Sequence, residues 1–498
     1  MGATWYIART VTQSWRREIA RIFGVHPRWV SLLAIVVAAA TLTFAAILGQ
    51  LLLSTGLGEL PAQLRQGALF RVITWAFVSS GLTMLIFNML APDNTTIGTL
   101  VELLPVSRMN SFVGLFAPLA FVAFTFGAIL ATPAFVMVVE LAGEPGTKIA
   151  VVALIAWLLI VVQALVLAAF HLLLRAFRRW LRLALHTALS GAALIVGCVI
   201  LLPVPLHMFS RDPLPSSLSL PEMVWPDRFA SIVMHAMIDG QGLPLPSLGV
   251  MAGWLAIAAC GFWAMANTLR TEYVPPSVRL GVGIPVPKGR FPAQVWFETM
   301  VPIRTPQFVV TTLIVLVTAG ALAIFGKNGN EVRYLAEQAG QALVASVFLL
   351  AMQSVGLTLA CHWIFRHLLV QPASWVWPKA TAMLMVSILS ATVLTGILLG
   401  SDILPAAALA TVAGTSVYVF SAALTGGTLM PYSPEQTLSI GITGITVGVL
   451  AFGTLRAAQW LLDGLGQSHF APFIAAAALL TAYRMLAPRL EGVEMRGR

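Results

Sequence analysis

The sequence predicts an all-α polytopic membrane protein of about twelve transmembrane helices, arranged as two six-span halves, and three observations carry that prediction. First, 58% of the 498 residues are hydrophobic and 10% charged, against roughly 45–50% and about 25% for a soluble domain. That leaves too little polar surface to cover a globule in water. Second, the apolar residues gather into uncharged runs of about 20, the length a helix rising ~1.5 Å per residue needs to cross ~30 Å of hydrocarbon. Third, these runs are continuously apolar and far longer than a barrel strand. The backbone is therefore satisfied within helices and not between strands.

An amphipathic element comes first. Ile7, Val11, Trp15, Ile19 and Ile22 recur at helical spacing, with Arg9, Arg16, Arg17 and Arg21 on the other face. This predicts a helix lying in the cytosolic interface. No cleavable signal precedes the first long run, which is expected to be retained. Six apolar runs follow, at 30–53, 72–90, 112–139, 149–174, 183–203 and 248–269, and Pro118 and Pro133 are expected to kink the third. A Pro/Gly-rich stretch at 273–290 reads as a cytosolic linker. A shorter amphipathic stretch with Val295, Trp296 and Met300 then leads into runs at 308–325, 343–365, 380–399, 403–424, 438–455 and 470–486. The chain is thus read as a first half at 1–272, a linker at 273–290 and a second half at 291–498, each half opened by its own interfacial helix.

Charge sets the orientation. With the N-terminus inside, 21 of the 29 Lys and Arg residues fall on inner segments and 8 on outer ones. The positive-inside bias then places both termini in the cytosol and requires an even number of spans. The net charge of +10 is accounted for by these topology signals, so no nucleic-acid partner is expected. Arg175, Arg178, Arg179 and Arg182 cluster on one inner loop and read as a lipid-facing basic anchor. The inner segment at 425–437 carries no Lys or Arg, so the runs on either side of it rest on hydropathy alone.

The halves also share a local pattern. After the second run of the first half stands Leu103-Leu104-Pro105-Val106-Ser107-Arg108; after that of the second stands Leu368-Leu369-Val370-Gln371-Pro372-Ala373-Ser374. The two prolines are offset by 267 residues and the third runs by 268. A duplicated six-span unit predicts a pseudo-two-fold axis along the membrane normal, with a pathway between the halves.

What is absent narrows the function. No run contains Asp, Glu or Lys, and Arg484 is the only arginine within one. Ion-coupled carriers hold their ion on mid-membrane ionisable groups. Here the run-end histidines His171, His186 and His362 read as packing residues. Of the four lysines only Lys327 follows a glycine, and Asn328 comes next where a P-loop needs Ser or Thr. Energy for uphill transport must then come from another subunit. Cys198, Cys260 and Cys361 lie inside apolar runs and read as small core residues. The outer segment 204–247 carries Asp212, Glu222, Asp227, Arg228, His235 and Asp239. It reads as a solvated loop with a short helix near 227–238, although a membrane transferase would house its acids there. Gly444 and Gly448 form a small-xxx-small pair suited to close helix contact.

The stretch Glu102-Leu103-Leu104-Pro105-Val106-Ser107-Arg108, between the second and third runs, resembles the first cytosolic loop of type-two ABC exporter permeases. The layout resembles theirs as well: an interfacial helix, six spans per half, and an outer helical segment between the fifth and sixth spans. That segment would be 204–247 in the first half and the shorter 456–469 in the second. The resemblance implies that Glu102, Pro105, Val106, Ser107 and Arg108 form an ATPase-coupling loop, with Pro372 and Ser374 as second-half counterparts that lack the arginine. It implies a permease that is not itself an enzyme and binds no cofactor, with ATP and Mg²⁺ on a separate ATPase present in two copies. It further implies export of a hydrophobic or amphipathic substrate across a bacterial cytoplasmic (inner) membrane. The alternatives are a twelve-span secondary carrier, whose Gly/Asp/Arg-rich loop between the second and third spans is missing here, and a membrane-embedded glycosyl- or lipid-transferase.

Overall fold

The structure, a computed structural model, describes residues 2–23, 26–54, 62–90, 106–142, 144–183, 185–204, 225–239, 245–268, 285–326, 330–359, 374–431, 437–463 and 470–489. Among them every regular element is helical. Eight described stretches are long and apolar enough to cross a membrane, the longest being Pro145–Arg179, with a mean hydropathy of 2.9. Thr187–Leu201, Val310–Ile324 and Ala471–Leu486 are shorter apolar helices. The chain is a polytopic helical membrane protein. It divides into two compact units, Met1–Val274 and Pro275–Arg498; most of the stretch read as a linker lies outside the described residues.

In the first unit the helices are α1 (Gly2–Phe23), α2 (Pro27–Ser54), α3 (Ala62–Leu90), α4 (Arg108–Leu141), α5 (Pro145–Arg179), α6 (Leu185–Leu201), α7 (Pro226–Ile238) and α8 (Leu245–Thr268). The amphipathic pattern of α1 places its stripe inward: Ile7 and Val11 are buried while Trp5, Tyr6, Arg9 and Arg17 are exposed. Its partner is α4. Contact is close at Gly114, where a Cβ would stand 2.7 Å from that of Ile7 and 3.1 Å from the Thr4 carbonyl oxygen. α4 runs through Pro118 and Pro133 as one helix. Its start is capped by Ser107, whose Oγ accepts from the Asn110 amide at 3.4 Å. Prolines stand at the first positions of α5 and α7, where a missing N–H leaves nothing unsatisfied.

α3 and α5 run parallel and in register, and polar pairs mark that register. Gln163 donates through Nε2 to Ser80 Oγ at 3.0 Å and to the Ala123 carbonyl at 3.2 Å. One level along, His171 Nε2 and Asn88 Oδ1 are 3.3 Å apart. Both pairs are separated by 83 residues, so each advance along α3 is matched along α5. The two levels are eight residues apart, about 12 Å at 1.5 Å per residue. Parallel neighbours must be joined through an antiparallel crossing, which α4 supplies. Polar side chains buried in lipid-spanning helices hold to each other because no water competes for them.

The same register places Trp157 beside Thr74, and α7 packs there, against α3 and α5. The Trp157 and Phe229 rings stand edge-on at 5.7 Å, and Thr74 Oγ1 donates to Asp227 Oδ2 at 3.0 Å. A short helix does form where the sequence placed one, but this helix is not solvated all round: Asp227 is 0% exposed, and Phe229, Ala230, Val233 and Met234 are buried with it. Asp212 and Glu222 lie outside the described residues.

The second unit contains α9 (Arg290–Ile303), α10 (Pro306–Phe325), α11 (Asn330–Ser346), a 3₁₀ stretch (Val347–Gln353), α12 (Ser354–Leu359), α13 (Val376–Gly400), α14 (Leu409–Leu429), α15 (Thr437–Asp463) and α16 (Ala471–Leu486). α14 is its hub, packing on the 3₁₀ stretch, α15 and α16. Thr425 Oγ1 donates to the Leu479 carbonyl at 2.8 Å and Thr443 Oγ1 to that of Met430 at 2.7 Å. The Tyr418 hydroxyl donates to the carbonyl of Ala451. Among the described glycines the closest approach is at Gly427, where a Cβ would press on the Met352 backbone, 2.9 Å from its carbonyl carbon and 3.0 Å from its Cα. Gly444 and Gly448, the pair expected to make such a contact, face open space where a Cβ would stand.

Candidate functional site

The residues assigned to the coupling loops are only partly described. Glu102, Pro105 and Pro372 lie outside the described residues. Val106 is half-buried, Ser107 is exposed at the cap of α4, and Arg108 is the first residue of that helix. In the second unit Ser374 is half-buried two residues before α13, and its Oγ is buried without a hydrogen-bond partner.

Beside Ser374 the structure places a cluster that the sequence reading passed over. Lys379, on the first turn of α13, is 0% exposed, and Glu298 on α9 is 2% exposed. Lys379 Nζ donates to Glu298 Oε2 at 2.6 Å and to the Ser354 carbonyl at 3.1 Å. Its third bond goes to Thr358 Oγ1. A lysine ammonium carries three donors and no acceptor, so the group is fully used. The ammonium also lies 5.7 Å from the centre of the Trp375 ring. From α16, the Tyr483 hydroxyl donates to the Val376 carbonyl at 2.9 Å, closing the same end of α13. The cluster thus gathers α9, α12, the start of α13 and the end of α16.

The electrostatics follow from burial. Withdrawing a carboxylate from water disfavours its charged form, which pushes the Glu298 carboxyl above its ordinary range; the Lys379 ammonium and its hydrogen bond pull it back. The second carboxylate oxygen, Oε1, is buried without a hydrogen-bond partner. A pair of this kind is sensitive to the loss of either member, since removing one leaves an uncompensated buried charge at a cost of about 3–5 kcal/mol.

Other candidate chemistry is sparse. Among the described residues no three His, Cys, Asp or Glu side chains gather as a metal site, and Cys198 and Cys260 are free thiols. His235 and Asp239 approach to 3.2 Å on the last turn of α7. An apolar groove of about 600 Å³ opens between α4, α5 and α8, lined by Met109, Ile160, Ala164, Leu255, Phe262 and Trp263 among others. Comparison with protein-family models, with curated proteins and with solved structures finds no match to this chain.

Proposed function

We propose that the chain is the permease subunit of an ABC exporter, twelve spans in two six-span repeats, moving a hydrophobic or amphipathic substrate with ATP hydrolysed by a separate subunit. The observation that carries the reading is the matching order of helix pairings inside the two units. In the first, α1 packs on α2 and α4, α4 also on α2 and α3, and α5 on α3, α6 and α8. In the second, α9 packs on α10 and α13, α13 also on α10 and the 3₁₀ stretch, and α14 on the 3₁₀ stretch, α15 and α16. These shared pairings support one plan used twice, with α1 and α9 in the same place against α4 and α13. An arrangement in which interfacial helix, loop stem and third span share contacts can pass a push from outside the bilayer to the spans as a rigid body. The groove lined by Ile160, Leu255 and Trp263, without a charged side chain, supports an apolar cargo. In this reading the inner bacterial membrane holds the chain with both termini cytosolic, and two ATPase copies bring ATP and Mg²⁺.

The test is purification of the full chain in mild detergent with whatever it retains. A co-purifying ATPase whose vanadate-sensitive hydrolysis falls in the Glu102→Ala/Arg108→Ala variant is the expected result. A chain that is stable and active alone, with no ATPase attached, overturns the reading. One observation favours the secondary carrier instead: Asp227 is a buried carboxylate bonded to a spanning helix, the kind of group such carriers use. Gradient-driven uptake into liposomes that is abolished by Asp227→Asn would establish that alternative.

A further inference from the structure

In the second unit Pro372 lies, in sequence, between α12 and α13. Thr358 is the second-last residue of α12, and Lys379 is the fourth of α13. The Lys379 ammonium bonds back across that gap to Ser354 and Thr358, and sideways to Glu298 on α9. One buried point charge is therefore shared by α12, α13 and α9. No solvent reaches it to replace a partner that moves away, because Lys379 is 0% and Glu298 2% exposed. A lysine suits this geometry better than an arginine, since a compact ammonium directs three donors to three separate acceptors where a planar fork prefers one.

Among the described residues the first unit is built otherwise. The fourth residue of α4 is Ser111, half-buried, in the place Lys379 takes in α13. The interfacial helix α1 is held to α4 through the apolar contact of Ile7 on Gly114. Apolar contact is non-directional and allows small shifts of one helix over another, whereas an ion pair with satisfied hydrogen bonds fixes register.

We infer that Lys379 is a positioning residue that clasps α12 and the start of α13 to α9, so that these three helices move as one body, whereas among the described residues α1 and α4 share no such clasp and are the more compliant pair. The inference rests on the ABC-permease reading for what the clasped helices transmit, but the clasp itself is a property of the chain alone. Its test uses the full chain in lipid nanodiscs with two variants, Lys379→Met and Lys379→Met/Glu298→Gln. The second leaves no buried ion uncompensated and keeps the experiment alive if the first does not fold.

Hydrogen exchange is read first. Protection of amides in 290–303, 354–359 and 376–381 is expected to fall together, by about tenfold or more, with α1 and the start of α4 unchanged. The ATPase complex is read second: ATP hydrolysed per substrate moved is expected to rise while the KM for ATP stays fixed, since nucleotide is bound elsewhere. Loosening confined to α13, or a double variant that couples as tightly as the wild type, overturns the inference while the permease reading stands. If no ATPase associates with the wild type, the permease reading fails, and the exchange measurement still decides the clasp.

Discussion

Replacing Gly427 by alanine tests the packing of the second unit at its tightest point. The new methyl would be driven against the backbone of Met352, within 3.0 Å of both its carbonyl carbon and its Cα. These are main-chain atoms and cannot rotate aside. Overpacking of this kind costs about 1–3 kcal/mol, and the absence of any yielding side chain places Gly427→Ala at the upper end. Alanine returns up to about 1 kcal/mol through its better helix propensity, so the net loss is about 2 kcal/mol. That is a factor of roughly 30 in the folding equilibrium. α14 would also have to back away from the 3₁₀ stretch, which parts the Phe348 and Phe420 rings now 6.3 Å apart. The control is Gly448→Ala on α15, where nothing lies within 4 Å of the added methyl. There only the propensity gain, up to about 1 kcal/mol, remains. Equilibrium unfolding of the two variants in mixed micelles should separate them by about 3 kcal/mol, with opposite signs relative to the wild type. A Gly427→Ala protein as stable as the wild type, or the reverse order of the two variants, would refute the packing described for α14.

Further outcomes follow from single contacts. Lys379→Met alone should lose about 3–5 kcal/mol by stranding Glu298, and adding Glu298→Gln should recover much of that loss in the same unfolding assay. Thr74→Val removes the donor to Asp227 and should cost about 1.5–3 kcal/mol, the range for a hydrogen bond to a charged group; an unchanged unfolding midpoint would mean that α7 does not depend on it. Gly114→Val should lift α1 from α4, because the Ile7 Cβ already stands 2.7 Å from the first added atom. Faster proteolysis within 2–23 at unaltered cleavage elsewhere is the expected sign.

The helices were legible in the sequence because a continuous apolar run has one stable form in lipid. The helix of α1 was legible because Ile7 and Val11 keep helical spacing, but its packing on α4 at Gly114 was not. The buried charges were not. Asp227 sits in a segment dense in acids and prolines, and its partner Thr74 is 153 residues away, a pairing that no periodicity encodes. The signal lay in its neighbours, since Phe229, Ile232, Val233 and Met234 are too apolar for a free loop. Lys379 was set outside the third run of its half because a charge ends an apolar window; the helix in fact begins three residues earlier, at Val376. Glu298 stands three residues from Val295 and four from Pro302, on one face of α9, and that spacing marks it as facing the packed side. The glycine contact fell on Gly427 and not on Gly448 because spacing offers a smooth face, whereas only a neighbour makes it an interface.

The 3₁₀ stretch Val347–Gln353 has an effect on the helix that follows it. An α-helix turns about 100° per residue and a 3₁₀ helix about 120°, so seven residues of the tighter winding rotate everything beyond them by roughly 140°. Ser354 and Thr358, which bond to Lys379, follow that stretch directly. Rewound as α-helix, the stretch would change the angle between α11 and α12 by that amount, and either α11 or these two acceptors would have to turn. The winding of the span and the clasp at its end are therefore geared together, in the way a key's angle decides whether a lock turns.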